Sequence, residues 1–372
     1  MKKNIFVIEG DGIGPEVTRQ SVKVLNAVAE CFHHEFHYRY GLMGAAAIDK
    51  TGDPLPDETV ELAMKSDAIL FGAIGHPKYD NDPTAKVRPE QGLLKLRKSL
   101  QLFANIRPIS TYPSLHHLSP LKTKNIEGVD FIIYRELTGG IYFGKKQTNT
   151  EQTLASDECT YSKEEIERIA HLAFKQASLR RKKLTLVDKA NVLETSRLWR
   201  KWVQQIAKEY PQVTLDFLFV DNAAMQIIVN PKQFDVILTE NMFGDILSDE
   251  ASVISGSLGL LPSASVGNGP ALFEPIHGSY PQAAGKDIAN PLGSVLSAAM
   301  MLDHFDLHKE AGLVREAVEW TLVNGFVTKD IDPVNFYFTT TIGELISDYL
   351  VGKISGAELN QENIALRKST II

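Results

Sequence analysis

The stretch TENMFGDILSDEASVISGSLGLL, residues 239–261, shows a helix pattern directly after the short strand pattern FDVIL, residues 234–238. Its apolar side chains recur at three- and four-residue spacing, which predicts a helix with one apolar side. These side chains are Met242, Phe243, Ile246, Leu247, Val253 and Ile254. A strand followed at once by such a helix is the pattern from which α/β folds are built.

Two carboxylates, Asp245 and Asp249, stand four residues apart in this helix and therefore share one of its faces. Two anions held so close repel each other unless a cation lies between them, and hard oxygen ligands suit Mg²⁺ or Mn²⁺. Taken alone, the pair is more often an acidic first turn that complements the helix dipole. Both interpretations stay open at this point.

Composition limits the class of protein. The 372 residues exceed what one core usually serves, so two domains are expected. A net charge of −7 disfavours a nucleic-acid or anionic-membrane partner. The only cysteines, Cys31 and Cys159, cannot form a disulfide framework, which fits a reducing cytoplasm. We expect no membrane span and no signal peptide, since the first apolar run, residues 5–8, is short.

Strand patterns alternate with helix patterns along most of the chain, which predicts an α/β fold with a largely parallel sheet. Strands are predicted at 4–8, 68–71, 131–134, 184–187, 215–220 and 234–238, and helices at 16–31, 57–65, 89–103, 163–180, 194–209 and 290–305. Clusters of Pro, Gly and Ser at 107–120 and 261–291 predict long loops, which are often functional.

The segment GDGIGP, residues 10–15, lies between the first strand and the first helix, where a dinucleotide fingerprint would lie. It fails that test, because Pro15 occupies the position of the third glycine. Pro15 instead suits the first turn of a helix. The glycines permit a tight turn and close approach to a ligand, and a purely structural turn is equally compatible.

Four residues share one face of the helix that Pro89 opens: Glu90, Leu93, Leu94 and Arg97. An acid, two leucines and an arginine could line a pocket for a molecule with an apolar branch and a carboxylate. The simpler interpretation, a leucine pair facing the core between surface charges, is favoured by the pattern alone.

Chemically complementary residues lie at or just beyond the carboxyl ends of predicted strands, where open α/β sheets bind ligands. They are Arg135, Lys189, Asp221 and Asp245. Arg107 ends the segment FANIR, and Tyr142 lies in the glycine-rich GGIYFG. A guanidinium suits carboxylates because it donates two parallel hydrogen bonds, although a single arginine is more often a surface ion pair.

The chain resembles the metal-dependent β-decarboxylating dehydrogenases, which include enzymes for 3-isopropylmalate, isocitrate, homoisocitrate and tartrate. The resemblance extends to about residue 350 and rests on long motifs: GDGIGPE, EQGLLKLRKSLQLFANIRP, YRELTGGIYFG, VDKANVLE, ENMFGDILSDEASVISGSLGLLPSAS and EPIHGSYPQAAGKDIANP. It implies a two-domain open α/β fold that differs from the usual Rossmann fold. Residues 1–103 and 256–372 would form the first domain, with the cofactor cleft, and 104–255 an inserted domain with the dimer interface and the substrate and metal residues.

The same resemblance implies roles for individual residues. Arg97, Arg107 and Arg135 would hold the malate carboxylates. Asp245 and Asp249 of one subunit, with Asp221 of the other, would bind Mg²⁺ or Mn²⁺. Asp221 would also contact the substrate. Tyr142 and the Lys189 of the neighbouring subunit would form the acid–base pair in a homodimer with shared active sites. Glu90, Leu93 and Leu94 would face the distinguishing branch of the substrate.

The cofactor implied by the resemblance is NAD, in a cleft lined by Ile13, Glu274, His277, Gly278, Ser279, Gln282 and Asn290. Position 282 departs from the family pattern, because NAD-using members usually have an aspartate after the proline of HGSxP. Gln282 can still hydrogen-bond the ribose hydroxyls. The Lys–Tyr pair of NADP-using members is absent, since Gln282 is followed by Ala283.

The implied reaction is the oxidative decarboxylation of 3-isopropylmalate to 4-methyl-2-oxopentanoate, a leucine precursor. Two alternatives stay open: another small 2-hydroxy acid as substrate, or a non-catalytic regulatory subunit. A γ-carboxylate, as in isocitrate, would prefer hydroxyl or cationic residues over Leu93 and Leu94. A regulatory subunit would lack part of the metal and proton-transfer residues, and this chain has them all.

Overall fold

The computed structural model describes residues 1–82 and 85–355, and it has the α/β architecture that the sequence predicts. Its strands are β1 Lys2–Gly10, β2 Glu35–Tyr40, β3 Ala68–Ala73, β4 Leu102–Ser110, β5 Asp130–Glu136, β6 Lys146–Thr148, β7 Ala155–Asp157, β8 Lys183–Asp188, β9 Thr214–Phe219, β10 Val236–Thr239, β11 Pro262–Gly267 and β12 Ala271–Pro275. Its helices are α1 Gly14–Phe32, α2 Ala45–Thr51, α3 Asp57–Met64, α4 Pro77–Asp80, α5 Pro89–Ser99, α6 Thr123–Ile126, α7 Lys163–Leu179, α8 Glu194–Ala207, α9 Val220–Val229, α10 Asn241–Ser252, α11 Leu292–His304, α12 His308–Val323 and α13 Thr339–Ser355.

The described chain divides into two compact units, one of residues 1–101 with 257–355, and one of residues 102–256. The resemblance placed the inserted domain at 104–255. The roles expected of the two domains, a cofactor cleft and a dimer interface, stay predictions. The end of the first domain's expected range, residues 356–372, lies outside the described residues.

In the first unit the strands follow the order β2-β1-β3-β12-β11. All neighbouring pairs are parallel except β11 with β12. The sheet is covered by α1 and α11, which meet through a buried hydrogen bond of 2.7 Å between the Ser21 and Ser294 hydroxyls. Fully buried Phe6, Phe71 and Phe273 lie in this core. Continuous apolar strands such as AILFGA in β3 suit a sheet buried on both faces.

In the second unit the order is β4-β5-β10-β8-β9, with only β4 antiparallel to its neighbour among these pairs. Helix α7 starts with a capping box, in which Ser162 and Glu165 each accept from the other's backbone N–H. Because β5, β8, β9 and β10 run parallel, their carboxyl ends lie along one edge of the sheet. The residues expected at strand ends therefore gather at that edge.

The two long loops expected at 107–120 and 261–291 are partly wrong, because β4 extends to Ser110 and the second loop contains β11 and β12. The prediction failed because the prolines in these segments are typical of loops. Pro262 and Pro275 stand at strand ends, and Pro108 lies within β4 opposite Ile132. Proline is compatible with such positions when its missing N–H is not needed by the ladder.

The helix expected at 89–103 ends at Ser99, because Gln101 takes a left-handed φ of 52° and the chain then enters β4. The apolar side predicted for α10 is also only partly buried. Phe243 and Leu247 face the core, whereas Ile246 is 58% exposed. Val253 lies beyond the helix and is exposed as well.

Within the described residues, none of the helices combines the length and the apolar character needed to cross a membrane.

Candidate active site

Helix α10 presents Asp245 and Asp249 on one face in the second unit. The helix begins at Asn241, so both aspartates lie beyond its first turn. The interpretation of the pair as an acidic first turn is therefore wrong. Asp249 is the more open of the two, with 70% of its side chain exposed. The pair needs cations as partners, and two arginines supply them.

Arg135, near the carboxyl end of β5, reaches the aspartates from the sheet. Its Nη1 donates to Asp245 Oδ1, and its Nε and Nη2 both donate to Asn241 Oδ1, at 3.0 and 2.9 Å. Gly244 makes this approach possible, because a Cβ there would lie 2.7 Å from Arg135 Cβ. The guanidinium is thus buried, fixed in direction and aimed at the aspartate pair.

Arg107, on the neighbouring strand β4, contacts the other aspartate. Its Nη1 donates to Asp249 Oδ1 at 2.9 Å and to the Ser248 hydroxyl at 2.7 Å. Its Nε donates to Asn105 Oδ1 at 2.8 Å, and Nη2 lies 4.0 Å from Asp245 Oδ1. Two guanidinium groups therefore converge on two carboxylates, a charge arrangement suited to binding an anionic ligand.

Tyr142 joins the same cluster from a turn of 3₁₀-helix, Gly140–Tyr142. Its hydroxyl donates to Asp245 Oδ2 at 3.0 Å. Partial burial and the bond to Asp245 both raise the pKa of Tyr142 above its ordinary value, so the hydroxyl is held protonated. A protonated, partly exposed phenol beside a carboxylate can act as a proton donor.

Lys189 and Asp221 form a separate pair just beyond the ends of two neighbouring strands, β8 and β9. Lys189 follows β8 and Asp221 lies in the first turn of α9, and the Nζ and Oδ1 atoms are 2.6 Å apart. The hydrogen bond from Lys189 lowers the pKa of the Asp221 carboxyl below its ordinary range. Both partners of this ion pair retain solvent access.

The described part of one chain contains no cluster of three or more His, Cys, Asp or Glu side chains that could hold a metal ion. Asp221 is therefore not grouped with Asp245 and Asp249 in a single chain. The sequence predicted four second-unit residues at one sheet edge, namely Arg135, Lys189, Asp221 and Asp245, and the structure separates them into the Asp245 cluster and the Lys189–Asp221 pair.

In the first unit, α5 is anchored through Gly92 and Leu96, and not through the leucine pair. Both anchors are buried, and a Cβ on Gly92 would lie 2.5 Å from Pro54 O. Leu94 is 50% exposed and Leu93 is half-buried. The core-facing interpretation of the two leucines is therefore wrong, and their face of α5 is open to a ligand.

Arg97 lies one turn beyond Leu93 on α5 and is paired with Glu274. Arg97 Nη2 donates to Glu274 Oε1 at 2.7 Å, and both side chains are largely buried. Among the described residues, Arg97 Nε has no hydrogen-bond partner although it is buried. The pairing links a residue expected at the substrate with one expected at the cofactor.

The GDGIG turn contacts the loop that carries the expected cofactor residues. Ile13 N donates to Ser279 O at 2.8 Å, and a Cβ on Gly12 would lie 1.9 Å from that oxygen. Gly12 also has a φ of 58°, so glycine is required there for both reasons. Asp11, which the sequence did not single out, accepts backbone N–H bonds from Ala45, Ala46 and Gly75.

Four further cofactor candidates lie before or after Ser279 in the sequence. His277 is half-buried, and burial lowers its pKa, so its ring is neutral near pH 7. Asn290 is held by hydrogen bonds to Asp330 Oδ2 and from Leu292 N, both 3.0 Å. Gln282 is exposed, and Gly278 has open space where a Cβ would lie.

Sequence reasoning missed the residues that orient the arginines: Asn105, Asn241, Gly244 and Ser248. Asn241 carried a usable signal, since a polar residue at the start of a helix after a strand faces the ligand edge. Gly244 in the interior of a helix was a second signal of close packing. Asn105 and Ser248 gave none, because their roles depend on contacts far away in sequence.

The second unit gathers arginines, carboxylates, a tyrosine and a lysine at the strand-end edge of its sheet, where α/β enzymes bind small anionic ligands. Residues 4–346 match the family model of isocitrate/isopropylmalate dehydrogenase. The chain belongs to this family.

Relatives and solved structures agree with the family assignment. The 3-isopropylmalate dehydrogenase of Bacteroides fragilis is 54% identical over 94% of this chain and 99% of its own. That of Bacillus subtilis is 55% identical over 89% and 92%. The isocitrate dehydrogenase of Methylococcus capsulatus has a TM-score of 0.84 at 34% identity, covering 94% and 99%. A β-decarboxylating dehydrogenase of Thermococcus kodakarensis has a TM-score of 0.78 at 38% identity, covering 95% and 96%.

Proposed function

We propose that this protein catalyses the NAD⁺- and divalent-metal-dependent oxidative decarboxylation of 3-isopropylmalate to 4-methyl-2-oxopentanoate, a step of leucine biosynthesis. The observation that carries the proposal is the convergence of Arg107, Arg135 and Tyr142 on Asp245 and Asp249. Relatives that are more than half identical to this chain are named for that substrate.

The proposed reaction balances without an added reactant. The C2 hydroxyl loses its proton and C2 loses a hydride, which NAD⁺ accepts. The bond between C3 and its carboxylate then breaks, CO₂ leaves, and C3 gains a proton. The products are 4-methyl-2-oxopentanoate, CO₂ and NADH. The site must therefore bind two carboxylates, take one proton and return one proton.

Arg107 and Arg135 are proposed to bind the malate carboxylates, and Arg97 is assigned the same task. Each guanidinium is fixed in direction by protein contacts, through Asn105, Asn241 and Glu274. Preorganised donors of this kind hold an anion without a reorganisation cost at the moment of reaction. Substrate carboxylates would replace Asp245 and Asp249 as the partners of Arg135 and Arg107, so each of these arginines would keep a negatively charged partner.

Asp245 and Asp249, with Asp221, are proposed to hold Mg²⁺ or Mn²⁺, which would supply Lewis-acid polarisation of the substrate oxygens. The donor set fits a hard cation, because all three ligands are carboxylates with solvent-accessible side chains. Among the described residues, Asp249 Oδ2 makes no hydrogen bond or ion pair, so it is available to a cation.

Lys189 and Tyr142 are proposed to transfer the two protons. Lys189 would take the proton of the C2 hydroxyl, and Tyr142 would protonate C3 after CO₂ leaves. The raised pKa of Tyr142 keeps its hydroxyl in the donor form at neutral pH. Lys189 must accept a proton and Tyr142 must donate one, and within one chain the two residues lie in separate clusters.

A homodimer with shared active sites would bring these clusters together. Helices α9 and α10 pack on each other and leave Met225, Val229 and Ile246 exposed, and Val253, directly after α10, is exposed as well. The hairpin of β6 and β7 is exposed along both strands. We propose that a second copy of the chain packs on these surfaces. That copy would also supply the Asp221 and Lys189 side chains that the Asp245 cluster of the first chain lacks. A cytoplasmic location stays a prediction.

Leu93 and Leu94 are proposed to contact the isopropyl branch, with Glu90 beside them. We expect Leu93→Ala to lower kcat/KM for 3-isopropylmalate roughly ten-fold or more, because ~1–3 kcal/mol of apolar contact is lost. The loss for unbranched malate should be much smaller. The matched control is Leu96→Ala on the core face of α5, which should lower thermal stability and not alter the ratio of the two substrates. Equal losses of kcat/KM for both substrates in Leu93→Ala would contradict the proposal.

NAD⁺ is proposed over NADP⁺, because no Lys or Arg stands at 282 or 283 to pair with a 2′-phosphate. We expect Gln282→Asp to increase the preference for NAD⁺, because the added charge repels that phosphate. Gln282 is exposed, so the variant should fold normally. The measurement is kcat/KM for both cofactors in both proteins. A wild-type protein equally efficient with both would refute the NAD assignment.

The experiment that tests the proposed function is a substrate comparison. NADH formation is followed with 3-isopropylmalate, isocitrate, tartrate and malate at equal concentrations and fixed Mn²⁺. We expect the highest kcat/KM for 3-isopropylmalate. A higher kcat/KM for isocitrate would make isocitrate the substrate in place of 3-isopropylmalate. No turnover of any of the four compounds would favour a non-catalytic regulatory subunit.

A further inference from the structure

Tyr161 lies behind the Asp245 cluster in the second unit, and none of the functions assigned above uses it. Its side chain is buried, with the ring packed edge-on against Trp199 at 5.4 Å between centroids. Its hydroxyl accepts a hydrogen bond from Asn241 N at 3.0 Å. Tyr161 therefore holds the first residue of α10.

The same ring also touches the backbone that leads to Tyr142. A Cβ on Gly139 would lie 2.7 Å from Tyr161 Cε1, and one on Gly140 would lie 2.3 Å from its hydroxyl. Asn241 Nδ2 donates to Gly139 O at 3.2 Å, so the helix and this backbone are tied beside the ring as well. The two glycines allow a contact that any side chain would prevent.

These contacts connect Tyr161 to both sides of the proposed active site. Asn241 Oδ1 accepts two hydrogen bonds from Arg135, which pairs with Asp245. Asp245 Oδ2 in turn accepts from Tyr142, which follows Gly139 and Gly140. A closed ring of contacts thus runs from Tyr161 through Asn241, Arg135, Asp245 and Tyr142 and back.

We propose that Tyr161 is a positioning residue, which sets the separation between the start of α10 and the Gly139–Gly140 backbone and thereby aims Arg135 and Tyr142 at Asp245. The inference rests on the function proposed for Tyr142 and Asp245. Burial and the nearby Glu240 and Glu136 carboxylates raise the pKa of Tyr161, so its hydroxyl stays protonated at neutral pH. Removal of that hydroxyl leaves Asn241 N without its hydrogen-bond acceptor.

The test is a double-mutant cycle of Tyr161→Phe and Tyr142→Phe in the full-length protein. We expect Tyr161→Phe alone to lower kcat about ten-fold or more, because small displacements of reacting groups are costly. KM for NAD⁺ should not change. The double variant should lose much less than the product of the two single losses, since Tyr161 acts in large part through Tyr142.

The matched control is Tyr210→Phe, which removes another tyrosine hydroxyl of this unit, bonded to His171 Nδ1 at 3.0 Å. It should lower thermal stability without lowering kcat. Wild-type kcat in Tyr161→Phe, or losses that multiply fully in the double variant, would overturn the inference. Wild-type kcat in Tyr142→Phe would instead contradict the role proposed for Tyr142, and the inference would fall with it.

A second variant covers the case in which Tyr161→Phe does not fold. Gly139 has a φ of −119°, which alanine adopts freely, so Gly139→Ala only pushes the Tyr161 ring away. We expect the same loss of kcat in this variant. A folded Gly139→Ala protein with wild-type kcat would overturn the inference by itself.

Discussion

A mixture of Lys189→Ala and Asp249→Ala chains, each inactive alone, should regain about a quarter of wild-type activity after dissociation and reassembly, because about half of randomly formed dimers are hybrids with one complete site. Lys189→Ala removes the proposed base, and Asp249→Ala removes a proposed metal ligand. In a hybrid, one site receives intact Asp249 from the first chain and intact Lys189 from the second, and the other site receives both defects.

The expectation follows from the separation of the two clusters within one chain. Lys189 is paired with Asp221, whereas Asp249 belongs to the arginine cluster of α10. If each chain supplied its own lysine and aspartates to its site, every site in every dimer would keep one defect. Differently tagged chains show whether hybrids have formed. Confirmed hybrids without recovered activity would contradict the shared site.

Removal of divalent metal should lower activity roughly a thousand-fold or more, because several kcal/mol of charge stabilisation are lost. The measurement is turnover after chelation with EDTA, followed by added Mg²⁺ or Mn²⁺ in excess of the chelator. EDTA already saturated with Mg²⁺ is the control and should leave activity unchanged. Full activity in the metal-free protein would rule out the metal site.

Asp249→Asn should weaken the binding of Mn²⁺ to the protein in a direct titration without substrate. Asp249 is the more exposed of the α10 pair, and one of its oxygens already accepts from Arg107. The control is Asp216→Asn, because among the described residues Asp216 pairs only with Lys183, on an adjacent strand of the same unit. Equal Mn²⁺ affinity in wild type and Asp249→Asn would remove Asp249 from the ligand set.

The sequence predicted the elements that have a clear period. The helix containing Asp245 and Asp249 follows its strand as expected, and the alternation of strands and helices gave the α/β class. Strands β2, β6 and β7 were missed, and so were β4, β11 and β12, whose Pro, Gly and Ser residues are typical of loops. These segments form strands because they pair with neighbouring strands, and local composition carries no information about that pairing.

The sequence predicted which charged residues belong to the candidate site, but it did not predict which of them contact each other. Arg97 and Glu274 are 177 positions apart, and their pairing follows only from the packing of the first unit. Tyr161 gave no signal, because an isolated tyrosine before a capping serine resembles ordinary core. The fixed direction of Arg135 required Asn241 and Gly244, whose purpose becomes visible only when β5 and α10 lie side by side.

The central claim is that oxidation and decarboxylation of 3-isopropylmalate are coupled on this protein. The most direct test measures NADH, CO₂ and 4-methyl-2-oxopentanoate in one reaction with limiting 3-isopropylmalate, NAD⁺ and Mn²⁺. We predict equal amounts of all three products for each substrate molecule consumed. NADH formed without an equal amount of CO₂, or no consumption of 3-isopropylmalate, would contradict the claim.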